Sequence, residues 1–77
     1  MNNRHIHKFI LESVCHGRYV NYVEYANDPV EAVEQLHRRK PKATICVVND
    51  KNLNAVYNMA YIIENKEKLR IEYDLMN

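Results

Sequence analysis

Hydrophobic and polar residues alternate through the first third of the chain, and this pattern predicts a β-hairpin. The run from Ile6 to Cys15 is rich in strand-forming residues. His16-Gly17 supplies a two-residue turn, because glycine readily adopts positive φ. The run RYVNYVEYA, residues 18–26, predicts the returning strand, and a two-residue loop pairs Leu11 with Tyr22.

The next segment carries the signals of a capped amphipathic helix. Asp28 suits the N-cap, Pro29 suits the first helical position, and Glu31 completes a capping box. Pro41 predicts the stop, and the basic residues before it complement the helix dipole. Helical spacing assigns the buried stripe to Val30, Val33 and Leu36, with Ala32 beside it.

A short apolar run, ATICVV at residues 43–48, predicts an interior strand covered on both faces. Asn49-Asp50 ends this strand. A second helix is predicted to begin near Asp50 or Asn52, with Asp50 as its cap.

The tail LRIEYDLM, residues 69–76, alternates between apolar and polar positions and predicts a final strand. The alternative is a helix continued from Ile62, because Leu69, Tyr73 and Met76 also lie near helical spacing. Such a helix runs to about 25 residues without a stop signal, longer than is usual in a globular domain, so we favour the strand.

Together these elements predict a single small domain over residues 1–77, with residues 1–5 frayed. The expected fold is an α+β or α/β two-layer sandwich, in the order ββαβαβ. It has a four-stranded mixed sheet with two helices on one face. Each helix is expected to join parallel strands through a right-handed crossover. The uncovered sheet face, or the edge of the opening hairpin, is where we expect a partner to bind.

Length and charge narrow the function classes. A chain of 77 residues buries a modest core, and dimerisation is a common way to add stability. The net charge of +1, from eleven basic and ten acidic residues, argues against a dedicated DNA-binding protein and against an acidic nucleic-acid mimic. A composition of 47% hydrophobic and 27% charged residues argues against disorder.

Cysteine content and apolar runs indicate the compartment. The chain has two cysteines, and its start, MNNRHIHK, lacks the apolar segment of a signal peptide. No apolar run approaches the roughly 20 residues of a membrane span. We therefore expect a cytoplasmic protein with reduced thiols and no membrane contact. Frequent Asn, Lys, Ile and Tyr, which AT-rich codons favour, suggest a phage or another mobile element as the source.

The candidate partner-binding residues lie on the second predicted strand: Arg18, Tyr19, Tyr22 and Tyr25. Aromatic residues and arginine are enriched at protein interfaces, and an exposed strand edge can accept a strand from another chain. The predicted function is a small non-catalytic protein-interaction module, a homodimeric regulator or inhibitor of a host or partner protein.

The alternative is an RNA- or DNA-binding accessory protein, with RNA favoured over DNA. Its candidate residues are Arg38, Arg39, Lys40 and Lys42, whose four charges lie within five positions and suit phosphates. The competing interpretation is a solvated helix end whose cations favour the dipole.

No catalytic residue, metal site or cofactor is predicted. The chain has one glycine and hence no Gly-rich phosphate loop. His5, His7, His16 and His37 lack zinc-ligand spacing among themselves or with the cysteines. The carboxylates Glu12, Glu24, Asp50 and Glu72 are scattered over positions that the pattern places at the surface.

Overall fold

The computed structural model describes residues 6–76, and the predicted fraying of residues 1–5 lies outside them. The described elements follow the order ββαββαα and form a small α+β fold. The four strands make one antiparallel sheet, in the order β2-β1-β3-β4. The elements are β1 (His7–Cys15), β2 (Arg18–Ala26), α1 (Pro29–Arg39), β3 (Thr44–Asp50), β4 (Ala55–Asn58), α2 (Met59–Glu64) and α3 (Lys66–Met76).

The opening hairpin confirms its prediction in both turn and register. His16 and Gly17 have φ of 53° and 77°, as a type I′ turn requires at both central residues. Leu11 lies opposite Tyr22. This turn matches the right-handed twist of the strands, which is why a two-residue loop closes them without a bulge.

Helix α1 is also confirmed. The Asp28 carboxylate accepts a hydrogen bond from the Glu31 amide at 2.7 Å, and Pro29 occupies the first turn. The Glu31 carboxylate reaches back to accept from the Asn27 amide at 2.7 Å, one residue before the expected partner. The helix ends at Arg39, and Lys40 is its C-cap.

Strand β3 is correctly predicted as an interior strand, but the prediction that both its faces are covered is wrong. Ile45 and Val48 are buried, whereas Cys46 between them is exposed. In an antiparallel sheet one face can be solvated, so a continuous apolar run does not require cover on both faces.

The predicted mixed sheet is wrong, because every pair of neighbouring strands is antiparallel. The strands that α1 joins do run parallel as predicted, since β2 and β3 are each antiparallel to β1 between them. The second predicted crossover is wrong, because the chain turns back after β3 instead of entering a helix. The Asp50 carboxylate accepts hydrogen bonds from the Asn52 and Leu53 amides at 2.8 and 3.2 Å. Asp50 therefore stabilises the turn into β4 and does not cap a helix. The helix begins nine residues later, at Met59, and is capped by the Asn58 side chain.

The tail is a helix, so the predicted final strand at residues 69–76 and the order ββαβαβ are wrong. Asn65 interrupts the helical run between α2 and α3. The run is thus divided into helices of 6 and 11 residues, and neither has the excessive length that argued against a helix. Leu69 and Tyr73, four residues apart, form the buried stripe of α3.

The core is one cluster of buried residues, contributed by one face of the sheet, the inner face, and by the helices. The buried strand residues all lie on this inner face, in alternation with the exposed or half-buried residues of the outer face. The largest apolar members are Phe9, Leu11, Ile45 and Val48 from the sheet and Val30, Leu36, Ile62, Leu69 and Tyr73 from the helices. None of the helices in residues 6–76 is long and apolar enough to cross a bilayer.

Candidate interaction surface

Strand β2 forms one edge of the sheet, and its backbone pairing follows from the hairpin turn. In a two-residue hairpin the residues flanking the loop, here Cys15 and Arg18, exchange both backbone hydrogen bonds. Pairing alternates from there, so the even-numbered residues of β2 bond to β1. The N–H and C=O groups of residues 19, 21, 23 and 25 point away from the sheet. Within residues 6–76 the sheet has no strand beyond β2.

A side-chain contact agrees with this alternation. The Gln35 side-chain amide of α1 donates to the Tyr25 carbonyl at 3.2 Å and to the Glu24 carboxylate at 3.0 Å. The Tyr25 carbonyl is available to α1 because it does not face β1. Gln35 therefore satisfies the last free carbonyl of the edge.

The predicted partner-binding residues divide between the two faces of β2. Tyr19 and Tyr25 lie on the outer face and are 91% and 61% exposed, and Arg18 is also exposed. Tyr22 lies on the inner face, half-buried against the core. Desolvation, with a contribution from the neighbouring Cys15 thiol, raises the pKa of Tyr22 above its ordinary value.

The outer face of the sheet carries further apolar side chains around Tyr19 and Tyr25. Val23 on β2 and Val56 on β4 are 45% and 65% exposed. Half-buried apolar residues of the same face are Ile10, Val14 and Val47. The Asn49 side-chain amide donates to the Glu12 carboxylate at 2.8 Å, a polar link between β3 and β1 within this face. The outer-face patch is our name for the apolar residues of this face together with the two tyrosines: Ile10, Val14, Val23, Val47, Val56, Tyr19 and Tyr25.

The basic run is only partly available for a ligand. Arg39 forms an ion pair with the buried Glu24 carboxylate, so its charge is engaged. Lys40 and Lys42 line an open groove with His16 of the hairpin turn, and Arg38 is exposed. The fold thus gathers a smaller cationic site than the sequence indicates.

A buried polar cluster joins β1, β3 and α3, and sequence reasoning missed it. The Tyr73 hydroxyl donates to the Asp50 carboxylate at 2.7 Å, and His7 Nδ1 lies 3.1 Å from the same oxygen. The Tyr57 hydroxyl lies 2.8 Å from that of Tyr73 and donates to it, since the Tyr73 proton is already committed. With the two turn amides, Asp50 has four hydrogen-bonding partners.

This buried cluster holds the helical tail against the sheet. Asp50, Tyr73 and His7 are 0%, 1% and 5% exposed, so they offer almost no surface to a substrate. Desolvation and the hydrogen bonds to Tyr57 and Asp50 raise the pKa of Tyr73 well above its ordinary value. Desolvation also raises the pKa of Tyr57.

The burial of two carboxylates was not predicted from the sequence. Asp50 and Glu24 were placed at the surface because neither lies in an apolar pattern, yet both are buried. The Asp-Lys-Asn-Leu-Asn run at residues 50–54 is rich in turn formers, and it could have indicated a β3–β4 hairpin. No local sequence signal indicates that Glu24 is buried, because its partners lie 11 and 15 positions later on α1.

No group of three potential metal-ligating side chains occurs in residues 6–76. His5, part of the spacing argument, lies outside this range. Cys15 and Cys46 are both free thiols.

Comparisons with protein-family models, curated proteins and solved structures gave no match to this chain. Function is therefore inferred from the geometry of the site alone.

Proposed function

We propose that the chain is a non-catalytic protein-binding module whose contact surface is the outer-face patch together with the β2 edge. The observation that carries the proposal is the nine-residue edge strand with its exposed aromatic residues. Exposed aromatic side chains contribute large contact area at interfaces, and free strand-edge groups can hydrogen-bond to another chain. Tyr19 and Tyr25 are the contact residues, Arg18 is at the rim, and Tyr22 supports the strand from the core side.

We also propose a two-layer arrangement, in which all three helices form one layer against the inner face. This interpretation is supported by the shared core of inner-face and helix residues, and it leaves the outer face for a partner. The absence of catalysis is a further part of the proposal, supported by the burial of the His7, Asp50 and Tyr73 side chains. The roles as regulator or inhibitor, the cytoplasmic location and the mobile-element source stay predictions.

Site-specific photo-crosslinking tests the proposed surface. A photoreactive phenylalanine at Tyr25 is expected to capture a protein from the native lysate. The same residue at Leu75, an exposed position on α3, serves as the control and is expected to capture none. The Tyr19→Ser/Tyr25→Ser double variant should lose that protein in affinity capture, while Leu75→Ser retains it. Equal capture by both variants would contradict the proposal.

Nucleic-acid binding is the second candidate, favoured by the groove that Lys40, Lys42 and His16 share. It predicts a gel shift with RNA at low salt. Lys40→Ala/Lys42→Ala should then reduce the slope of log affinity against log salt by about one unit per lost phosphate contact. Lys66→Ala/Lys68→Ala, an exposed pair on α3, is the matched control. Absence of a shift at low salt would remove this candidate.

A further inference from the structure

We propose that the first occupant of the β2 edge is the β2 edge of a second copy of this chain, paired antiparallel about a two-fold axis at Asn21. The inference rests on the proposed function, because it names one partner for the same surface. In this pairing Arg18 lies opposite the partner's Glu24, and residues 19, 21 and 23 of the two copies exchange about six backbone hydrogen bonds.

The β2 edge lacks most of the features that normally prevent strand pairing, although Glu24 is an inward-pointing charge. Edge strands are usually kept apart by short length, lysines, prolines or bulges. Strand β2 has nine residues, contains neither lysine nor proline, and pairs with β1 without a register shift. Strand β4 at the opposite edge has four residues. Of the two edges, β2 therefore offers the longer surface for pairing.

The charges of β2 favour antiparallel pairing centred on Asn21. The charged residues of this strand lie near its two ends: Arg18 is exposed, whereas Glu24 is buried and also pairs with Arg39 of its own chain. Parallel pairing in register places like charges together. Antiparallel pairing places unlike charges together when the axis passes through the residue midway between them, Asn21. Opposite charges on facing residues stabilise a strand pair, and like charges destabilise it.

The remaining pairs in this register are also favourable. Tyr19 lies opposite the partner's Val23 on the outer face, and Tyr22 lies opposite the partner's Val20 on the inner face. Both are aromatic–β-branched pairs, a combination that stabilises facing strands. Asn21 lies opposite its own copy, where two side-chain amides can hydrogen-bond to each other.

The contact between Gln35 and Tyr25 favours this register over its neighbour. An axis at Tyr22 requires the Tyr25 carbonyl to accept a hydrogen bond from the partner's Tyr19 amide. That carbonyl already accepts from the Gln35 side chain at 3.2 Å. An axis at Asn21 leaves the Gln35 contact intact, because the paired stretch ends at residue 24. Self-pairing then joins two four-stranded sheets into one and places the two outer-face patches side by side.

A cysteine scan tests both the dimer and its register. In a Cys15→Ser/Cys46→Ser background, Asn21→Cys places two thiols across the axis at a Cα separation of about 5.5 Å, which suits a disulfide. Mild oxidation should therefore convert Asn21→Cys to a covalent dimer of twice 9.2 kDa. Val23→Cys should remain monomeric in electrophoresis without reducing agent. In this register position 23 of one copy faces position 19 of the other, so the two new thiols lie four positions apart. More efficient crosslinking of Val23→Cys or Tyr22→Cys would overturn the register.

Light scattering of the wild-type chain tests the association without a cysteine. The dimer is expected, and Arg18→Glu should raise its dissociation constant about tenfold by placing like charges opposite each other. Arg38→Glu, at an exposed position on α1, should leave it unchanged. A monomeric wild-type chain together with no crosslinking of Asn21→Cys would overturn self-pairing. The proposed function fails on a different result, namely partner capture that is insensitive to the Tyr19→Ser/Tyr25→Ser change.

Discussion

At its β4 side the sheet is anchored by a buried polar cluster, whereas at its β2 side it ends in backbone groups that have few partners within residues 6–76. Asp50, next to β4, has four hydrogen-bonding partners from three parts of the chain. On β2, by contrast, the Gln35 contact satisfies one free carbonyl near the end of a nine-residue strand. The polar groups of the first side thus contribute to stability, whereas the backbone groups of the second retain hydrogen-bonding capacity that residues 6–76 do not use.

The largest effect is expected from Asp50→Ala. The change leaves two backbone amides, a histidine and a tyrosine hydroxyl without their acceptor, and should cost about 4 kcal/mol. The total stability of a chain this size is about 4–12 kcal/mol, so urea denaturation should show a protein that is barely folded. Asp74→Ala, at an exposed position on α3, should change the free energy of unfolding by less than about 0.5 kcal/mol. Similar losses for both variants would contradict the anchoring role of the cluster.

Tyr73→Phe should have a smaller effect that depends on pH. Losing the hydroxyl bonds should cost about 2 kcal/mol at neutral pH. Because the folded-state pKa of Tyr73 lies above its ordinary value of 10.0, the unfolded chain loses this proton first as pH rises. Stability is therefore fully present below about pH 10 and declines above it.

The free energy of unfolding, measured by urea denaturation between pH 7 and pH 11, checks this sign. Tyr73→Phe should flatten the alkaline decline relative to the wild type. Tyr61→Phe, which alters an exposed tyrosine on α2, is the control and should keep the decline. An equally steep decline in Tyr73→Phe would show that Tyr73 is not its source.

Glu24→Gln tests how much the ion pair on the β2 side of the sheet contributes to stability. Glu24 is buried, but its partner Arg39 is half exposed, and an ion pair of this kind contributes less because solvent screens it. Glutamine keeps an acceptor for the Gln35 amide. We expect a loss of about 1 kcal/mol in urea denaturation, clearly less than for Asp50→Ala. A loss as large as that of Asp50→Ala would mean that the two sides of the sheet are anchored equally.

Asn21→Pro should have the smallest effect on stability, but it should abolish association of the two copies. The Asn21 amide points away from β1, so proline removes no hydrogen bond within the chain and is tolerated on an edge strand. The free energy of unfolding should change by less than about 1 kcal/mol, while light scattering should show a monomer. Tyr22→Pro is the matched control and should unfold the chain, because the Tyr22 amide bonds to β1. Unfolding by both variants would contradict the assigned alternation.

Local signals predicted the part of the fold that depends on neighbouring residues. His16-Gly17 determined the first hairpin and its register, and Asp28, Pro29 and Glu31 determined the start of α1. Both features are stabilised within a few positions, so one sequence is enough to read them. The sequence also placed Tyr19 and Tyr25 on β2, and the structure exposes both on the outer face. Their role as contact residues stays a prediction.

The rest of the fold depends on contacts between distant residues. The alternation of residues 69–76 fits a strand and a helix equally well, and the choice follows from the packing of Leu69 and Tyr73 against the sheet. The β3–β4 turn depends on Asp50, which also binds Tyr73, 23 positions away. Arg39 of the basic run forms an ion pair with Glu24, which lies on another element, so its charge is not available to a ligand. None of these pairs is marked by local spacing.

Hydrogen exchange of the β2 amides tests the central claim most directly, that the β2 edge is the surface this chain uses for binding. In the isolated chain the Val20 and Tyr22 amides bond to β1 and should be protected, while those of Tyr19, Asn21 and Val23 should exchange quickly. Raising the protein concentration, or adding the captured partner, should protect the three edge amides as well. Rapid exchange of all three under both conditions would contradict the account.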